Sequence, residues 1–169
     1  IANTLNFVPI SSTFSEMENL VSIENKNGIP DPIRRLALFT LHSTETEKIL
    51  RRLRFPRKVQ RRLSDLLTLR TEIVPEAGQP LIRQTIYSQG TERTLDIALI
   101  NWAQTNDQND VDWQNFLQFI MQWKPPEFPV VGQDIIKLGI PEGEQLGQIL
   151  EELEKWWVQE NFAHKRSTL

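Results

Sequence analysis

Seven of the twelve residues in the run Arg51 to Arg62, RRLRFPRKVQRR, are cationic and none is acidic. Guanidinium and ammonium groups at this density suit the neutralisation of a row of phosphates, which positions a polyanion without reading it. On a helix restarted by Pro56, Arg57 and Arg61 stand one turn apart, as do Lys58 and Arg62, while Val59 and Leu63 take another face. Arg51, Arg52, Arg54, Arg57, Lys58, Arg61 and Arg62 are therefore the candidate phosphate-contacting set. A solvated helix surface carries the same pattern, but local counter-charge is short. Eleven basic residues between positions 34 and 70 face only Glu45, Glu47 and Asp65. From Glu127 to Glu160 the balance reverses, with many carboxylates against Lys137 and Lys155. A chain polarised in this way can bind a polyanion with one face although its pI is near 5.5.

Bond-making chemistry is harder to place. There are two histidines, His42 and His164, and no cysteine, which excludes disulfides and thiolate metal sites and fits a reducing compartment. His42 closes a helical stretch, where a cation suits the helix dipole. No nucleophile–His–acid set is recognisable, and no G-x-x-x-x-G-K loop is present. Asp110-x-Asp112, close to Asp107, has the spacing of a carboxylate pair that holds two metal ions. It lies in an Asn/Asp/Gln-rich stretch ahead of a helix, where capping accounts for it. Ile135 to Gly143 has the form of a helix-hairpin-helix, whose backbone N–H groups after the second glycine can hold a phosphate. Glu142 and Glu144 flank that spot and would repel one. The expectation there is packing, with Ile135, Ile136, Leu138 and Ile140 against Leu146, Ile149, Leu150, Leu153 and Trp157. Trp113, Trp123, Trp156 and Trp157 read as core.

The elements that position these groups are helical. The 169 residues, 39% hydrophobic and 24% charged, match an ordinary globular protein, and no apolar run approaches the ~18–20 residues of a membrane span. The start, IANTLNF, has neither the charged nor the apolar region of a signal peptide. It also lacks an initiator Met, so a longer parent is expected. Thr13 to Glu16 reads as a capping box opening a helix through Met17, Leu20 and Val21. Asp31-Pro32 is a side-chain cap followed by a ring preset for the first turn, with Ile33, Leu36, Ala37 and Leu41 on one stripe. Thr44 and Glu47 form a second capping box ahead of Ile49, Leu50 and Leu53. Stripes at Val59, Leu63, Leu66 and Leu67, at Leu95, Ala98, Leu99 and Trp102, and at Trp113, Phe116, Leu117, Ile120 and Met121 follow. Lys124-Pro125-Pro126 stops the last of these. Asp134 heads a short helix, and a longer amphipathic one follows Pro141. No alternating strand pattern of useful length occurs. The expected fold is all-α, seven to nine short helices, with residues 1–124 a helical body and residues 125–169 a helical tail that forms a helix–turn–helix unit.

The stretch PVVGQDIIKLGIPEGEQLGQILEELEKWW resembles the C-terminal signature of bacterial CCA-adding tRNA nucleotidyltransferases and their poly(A) polymerase relatives. Pro129, Gly132, Asp134, Gly139, Gly143, Gly147 and Leu150 fit that signature, whereas Glu144 stands where the family usually has proline. DPIRRLALFTL and RLRFPRKVQRRL are similar to two segments of the family's body region, with Pro56-Arg57 replacing the usual Ser/Thr-Asn.

The resemblance implies that this chain is the body-and-tail portion of a transferase. Its catalytic head, with magnesium and CTP or ATP, and its nucleotide-selecting neck would lie outside this chain, leaving no catalytic residue here. It implies an RNA-binding portion that holds the acceptor and T-arm region of tRNA. A cytoplasmic setting, no membrane partner and a monomer or weak dimer are expected. The rival reading is a helical protein-interaction module that dimerises through Trp156 and Trp157 and ignores RNA.

Overall fold

The computed structural model describes residues 11–41, 48, 52–68, 73–105 and 110–164. Eight α-helices are delimited among them, with no strand: α1 (Ser11–Asn27), α2 (Pro32–Leu41), α3 (Arg57–Thr68), α4 (Gln79–Gln89), α5 (Thr91–Gln104), α6 (Asp110–Gln122), α7 (Gly132–Lys137) and α8 (Glu144–Gln159). A 3₁₀ turn, Pro75–Ala77, precedes α4. The expected all-α bundle is the observed one.

Helix α5 is the axis of the bundle, and α1, α2, α3, α4 and α6 all pack on it. Its sequence explains this. Thr94, Asp96, Ile97, Ala98, Leu99, Ile100, Trp102 and Ala103 are all buried, so the helix is apolar on nearly every side, as a central helix must be. Leu20 from α1, Leu38 from α2, Leu63 from α3, Ile86 from α4 and Leu117 from α6 join it with no exposed surface or almost none. Each such side chain contributes about 1.5–3 kcal/mol of burial. Trp102 and Trp113 stack with ring centroids 5.5 Å apart.

Helix starts follow local chemistry. Asp31 caps α2, its Oδ1 accepting from the N–H groups of Ile33 (2.8 Å) and Arg34 (3.0 Å). The Phe55-Pro56 break restarts the chain, and the Pro56 carbonyl accepts the first α3 bond, from Gln60 N–H at 3.0 Å. Three expectations shift. Helix α1 begins at Ser11, ahead of Thr13, which is buried in the first turn. Asp134 is the third residue of α7, and its carboxylate accepts back from the Val131 N–H at 3.1 Å. Met121 is 47% exposed, outside the α6 stripe.

The phase of α2 also differs from the expected one. Its fully buried face is Arg34, Ala37, Leu38 and Thr40, while Ile33, Leu36 and Leu41 are half-buried. An arginine whose charge is met by buried carboxylates can take such a core position.

The chain beyond Pro125 folds back onto α4. Tyr87, Trp157, Phe128 and Phe162 meet at centroid distances of 5.0–6.0 Å, with Trp123 against Phe162 at 5.5 Å. Tyr87 donates to the Glu154 carboxylate, and Gln84 Nε2 donates to the Val158 carbonyl at 3.2 Å.

Candidate nucleic-acid interface

The arginines of the middle region divide into an inner and an outer set. In the inner set, Arg34 is buried and reaches two carboxylates from different helices, Glu24 of α1 (Nη1–Oε1 2.7 Å) and Asp96 of α5 (Nη2–Oδ1 2.8 Å). Arg35 takes the other oxygen of Glu24 at 2.6 Å. Arg62 of α3 reaches Asp96 at 2.8 Å and the capping Asp31 at 2.7 Å. Glu24 and Asp96 have no exposed surface. Three cations thus meet three anions, which is the condition for keeping such charges inside a fold. Burial would push the Asp31 carboxyl up, but the Arg34 N–H, the Arg62 guanidinium and the Ile33 N–H outweigh it and hold Asp31 below its usual range. The bonds to Asp96 and Asp31 together hold the Arg62 guanidinium above its ordinary value, against the pull of its own partial burial.

The outer set is Arg52, Arg54, Arg57, Lys58 and Arg61. All five are exposed, and among the described residues none stands within ion-pair distance of a carboxylate. Arg51 lies outside the described residues. Successive helical residues point about 100° apart, so anchoring Arg62 inward, with Leu63 and Leu66 in the core, turns Arg57 and Arg61 to solvent, while Lys58, one turn before Arg62, is exposed at the start of the helix. Arg54 adopts φ +44° at the break, a backbone that ends one helical stretch before the next begins. No acidic residue stands in the first turn of α3 to offset Arg57 and Lys58. The helix end there carries positive partial charge and disfavours cations. Lys58 and Arg61 also form one side of an open groove of about 470 Å³ whose other side is the α4–α5 junction.

Sequence reasoning put Arg62 with the outer cations, whereas the structure joins it to Arg34 and Asp96. It missed Glu24 and Asp96 altogether. A usable signal existed: Asp96 precedes Leu99, Ile100 and Ala103 at helical spacings of three, four and seven, and Glu24 follows Leu20 by four. A carboxylate in phase with an apolar stripe points to a buried partner.

The remaining candidates are spread out. Asp110 and Asp112 sit in the first turn of α6, and Asp110 pairs with Lys26 at 2.5 Å. Asp107, His42 and the capping pair Thr44–Glu47 lie outside the described residues. Among the described residues no three His, Asp or Glu side chains converge as a metal site requires, and no helix is long and apolar enough to cross a membrane.

Beyond Pro125, Gly132 opens α7, and a side chain there would meet Leu146 at 3.5 Å, whereas Gly147 faces open space. Gly139, at φ +90°, makes the turn after α7, a conformation that suits glycine. Gly143 leads into α8, and Pro129 is half-buried ahead of α7. Ile135 packs as expected, but Leu138 is 78% exposed, because the helix ends before it. Trp157 is buried, its Nε1 donating to the His164 carbonyl at 2.8 Å. It therefore has no surface to offer a second copy. Trp156 is exposed and stacks on the His164 ring at 4.7 Å.

A family model described as tRNA nucleotidyltransferase domain 2, putative, matches residues 35–169. Proteins named CCA tRNA nucleotidyltransferase 1, mitochondrial, from Mus musculus, Homo sapiens and Danio rerio are each 36% identical over 53 residues. That match covers 31% of this chain and 12% of the length of each relative.

Proposed function

The chain belongs to the tRNA nucleotidyltransferase domain 2 family, and from that premise we propose that its helices hold tRNA by the acceptor and T-arm region. Bond-making, CCA addition to the tRNA 3′ end with magnesium and CTP or ATP, then takes place in another part of the parent protein. This chain contributes no catalytic residue of its own.

The observation that carries the reading is the outer set: five exposed cations without carboxylate partners among the described residues, beside a parallel set that is fully paired. Double-stranded RNA presents phosphates and 2′-hydroxyls across a shallow groove and is held by shape and backbone. A row of cations on a rigid helix is sufficient for that, with no base-reading element. Arg62 and Asp96 serve this site indirectly, by fixing the roll of α3.

The test is binding of an acceptor–T-arm minihelix across a series of salt concentrations. Replacing Arg57 and Arg61 together by Glu is expected to weaken binding and to reduce the slope of log K against log salt by roughly 1.5. Unchanged binding at low salt overturns the reading. A chain that dimerises in light scattering and ignores the minihelix is a protein-interaction module instead.

A further inference from the structure

We infer that the open flank of α8 docks a second copy of this chain, receiving the arginines of that copy's α3. The contact belongs to the chain free of RNA.

Helix α8 is amphipathic in sequence and incompletely covered in the fold. Trp157 is its one buried residue. Leu146, Ile149, Leu150 and Leu153 share a face by their helical spacing, yet all four are only half-buried. Leu146 and Leu150 lie beside Gly132 of α7. Glu154 and Val158 meet α4, through Tyr87 and Gln84. By the 100° step of a helix, the flank opposite Glu154 and Val158 carries Ile149, Glu152, Trp156 and, just past the last turn, Glu160.

This flank has unspent charge and apolar surface together. Trp156 is 40% exposed although the His164 ring covers one of its faces. Glu152 and Glu160 stand one turn to either side of it. Lys155 is taken by Glu151 at 2.6 Å. Among the described residues Glu152 has no cation within ion-pair distance, and Glu160 has His164 alone, at 4.0 Å. An exposed indole between two carboxylates suits a guanidinium, which stacks on the ring while its N–H fork reaches an acid. The flank does not pair with itself, because two copies of α8 would set these acids against like charges.

The complementary surface is on the same chain. Arg57 and Arg61 of α3 are exposed and one turn apart, the pitch at which Glu152, Trp156 and Glu160 repeat. Leu53, close by in sequence, is 43% exposed and offers an apolar contact to Ile149. Within one copy the two surfaces do not meet. Helix α3 packs on α2 and α5, α8 packs on α7, and no ion pair joins α3 to α8 among the described residues. A second copy supplies what the first lacks, and mutual exchange closes a two-fold dimer.

The experiment is sedimentation equilibrium of the full chain, without RNA, over a series of salt concentrations. Association is expected at low salt and should weaken as salt rises. Glu152→Arg with Glu160→Arg, and separately Arg57→Glu with Arg61→Glu, should each weaken it roughly tenfold or more, because like charges then face each other. Mixed in equal amounts, the two reversed chains should associate again, since both contacts of the mixed pair are complementary. A wild-type chain that stays monomeric at low salt overturns the inference. So does association that either reversal leaves intact, that strengthens with salt, or that mixing does not restore. If circular dichroism shows a reversed chain unfolded, Glu152→Gln with Glu160→Gln and Arg57→Gln with Arg61→Gln replace the reversals, and each must weaken association for the inference to stand. No RNA is present, so failure here leaves the RNA-holding reading to its own test.

Discussion

Arg61 and Arg62 are neighbours in the chain and opposites in the fold. Arg62 bonds two carboxylates from other elements, Asp31 and Asp96, and sits partly inside. Arg61 is exposed and, among the described residues, has no carboxylate in reach. The same contrast separates Arg34, which is buried, from Arg57 one helix later. Charge density along a sequence does not distinguish a cation that holds helices together from one that is available to a ligand. What distinguishes them is whether another helix delivers an acid to the same point. The inner set specifies how α2 and α3 sit on α5, and the outer set is what that arrangement displays.

The sharpest break of this comparison is Asp96→Ala. It leaves buried Arg34 and half-buried Arg62 short of a partner. Removing one member of a buried ion pair typically costs about 3–5 kcal/mol, a large fraction of a domain's stability. Urea unfolding should show a midpoint shift of that size. A loss below about 1 kcal/mol would place the inner set with ordinary surface pairs and dissolve the distinction.

The two sets were not equally legible in the sequence. Local signals came through. Asp31-Pro32 announced the α2 cap, the prolines at 125 and 126 announced the end of α6, and stripes such as Leu63 with Leu66 lie in the core. The outer cations were found because their defining property is a short-range excess of charge. The inner pairs were missed because they join residues 34 and 96, or 62 and 96, and counting acids nearby in the chain cannot see a carboxylate that a different helix supplies. In α2, likewise, Ala37 is in the core as expected and Ile33 and Leu36 pack against it half-buried, but the fully buried positions of Arg34 and Leu38 were not foreseen. Helix ends drift for a related reason: the sequence puts Asp134 at the head of α7, whereas it acts from the third position back onto Val131.

The contact between α4 and α8 is an intermediate case, a charged group met by a neutral donor. Tyr87 donates to Glu154. Burial, then the bond to Glu154 and its charge, push the phenol up to about 12. Tyr87 is the single tyrosine in the chain, so the phenolate absorbance reports it directly. Its folded value lies above its unfolded value of about 10. The contact's contribution is therefore complete below pH ~10 and is lost as the pH rises toward 12. The titration midpoint is expected near 12 in the folded chain, and Glu154→Gln should lower it while burial keeps it above 10. Tyr87→Phe should cost about 1.5–3 kcal/mol, the range for a hydrogen bond to a charged group. A midpoint already near 10 would mean that α8 is not fastened to α4 there.

The smallest effect carries the most information about the outer set. Arg57 is the first residue of α3, where the helix dipole disfavours a cation, and it stands one turn from Arg61, a like charge that costs about 0.2–0.5 kcal/mol. No carboxylate among the described residues offsets either cost. Arg57→Ala is therefore expected to raise stability by a few tenths of a kcal/mol in the same urea assay, since it removes repulsion and adds a better helix former. The same variant should weaken minihelix binding, so stability and affinity move in opposite directions at one residue. Such opposition is the mark of a side chain retained at the expense of the fold for use by a ligand. If Arg57→Ala instead destabilises by more than about 1 kcal/mol, Arg57 belongs with the inner set after all. The surface proposed for RNA would then be narrower by one cation.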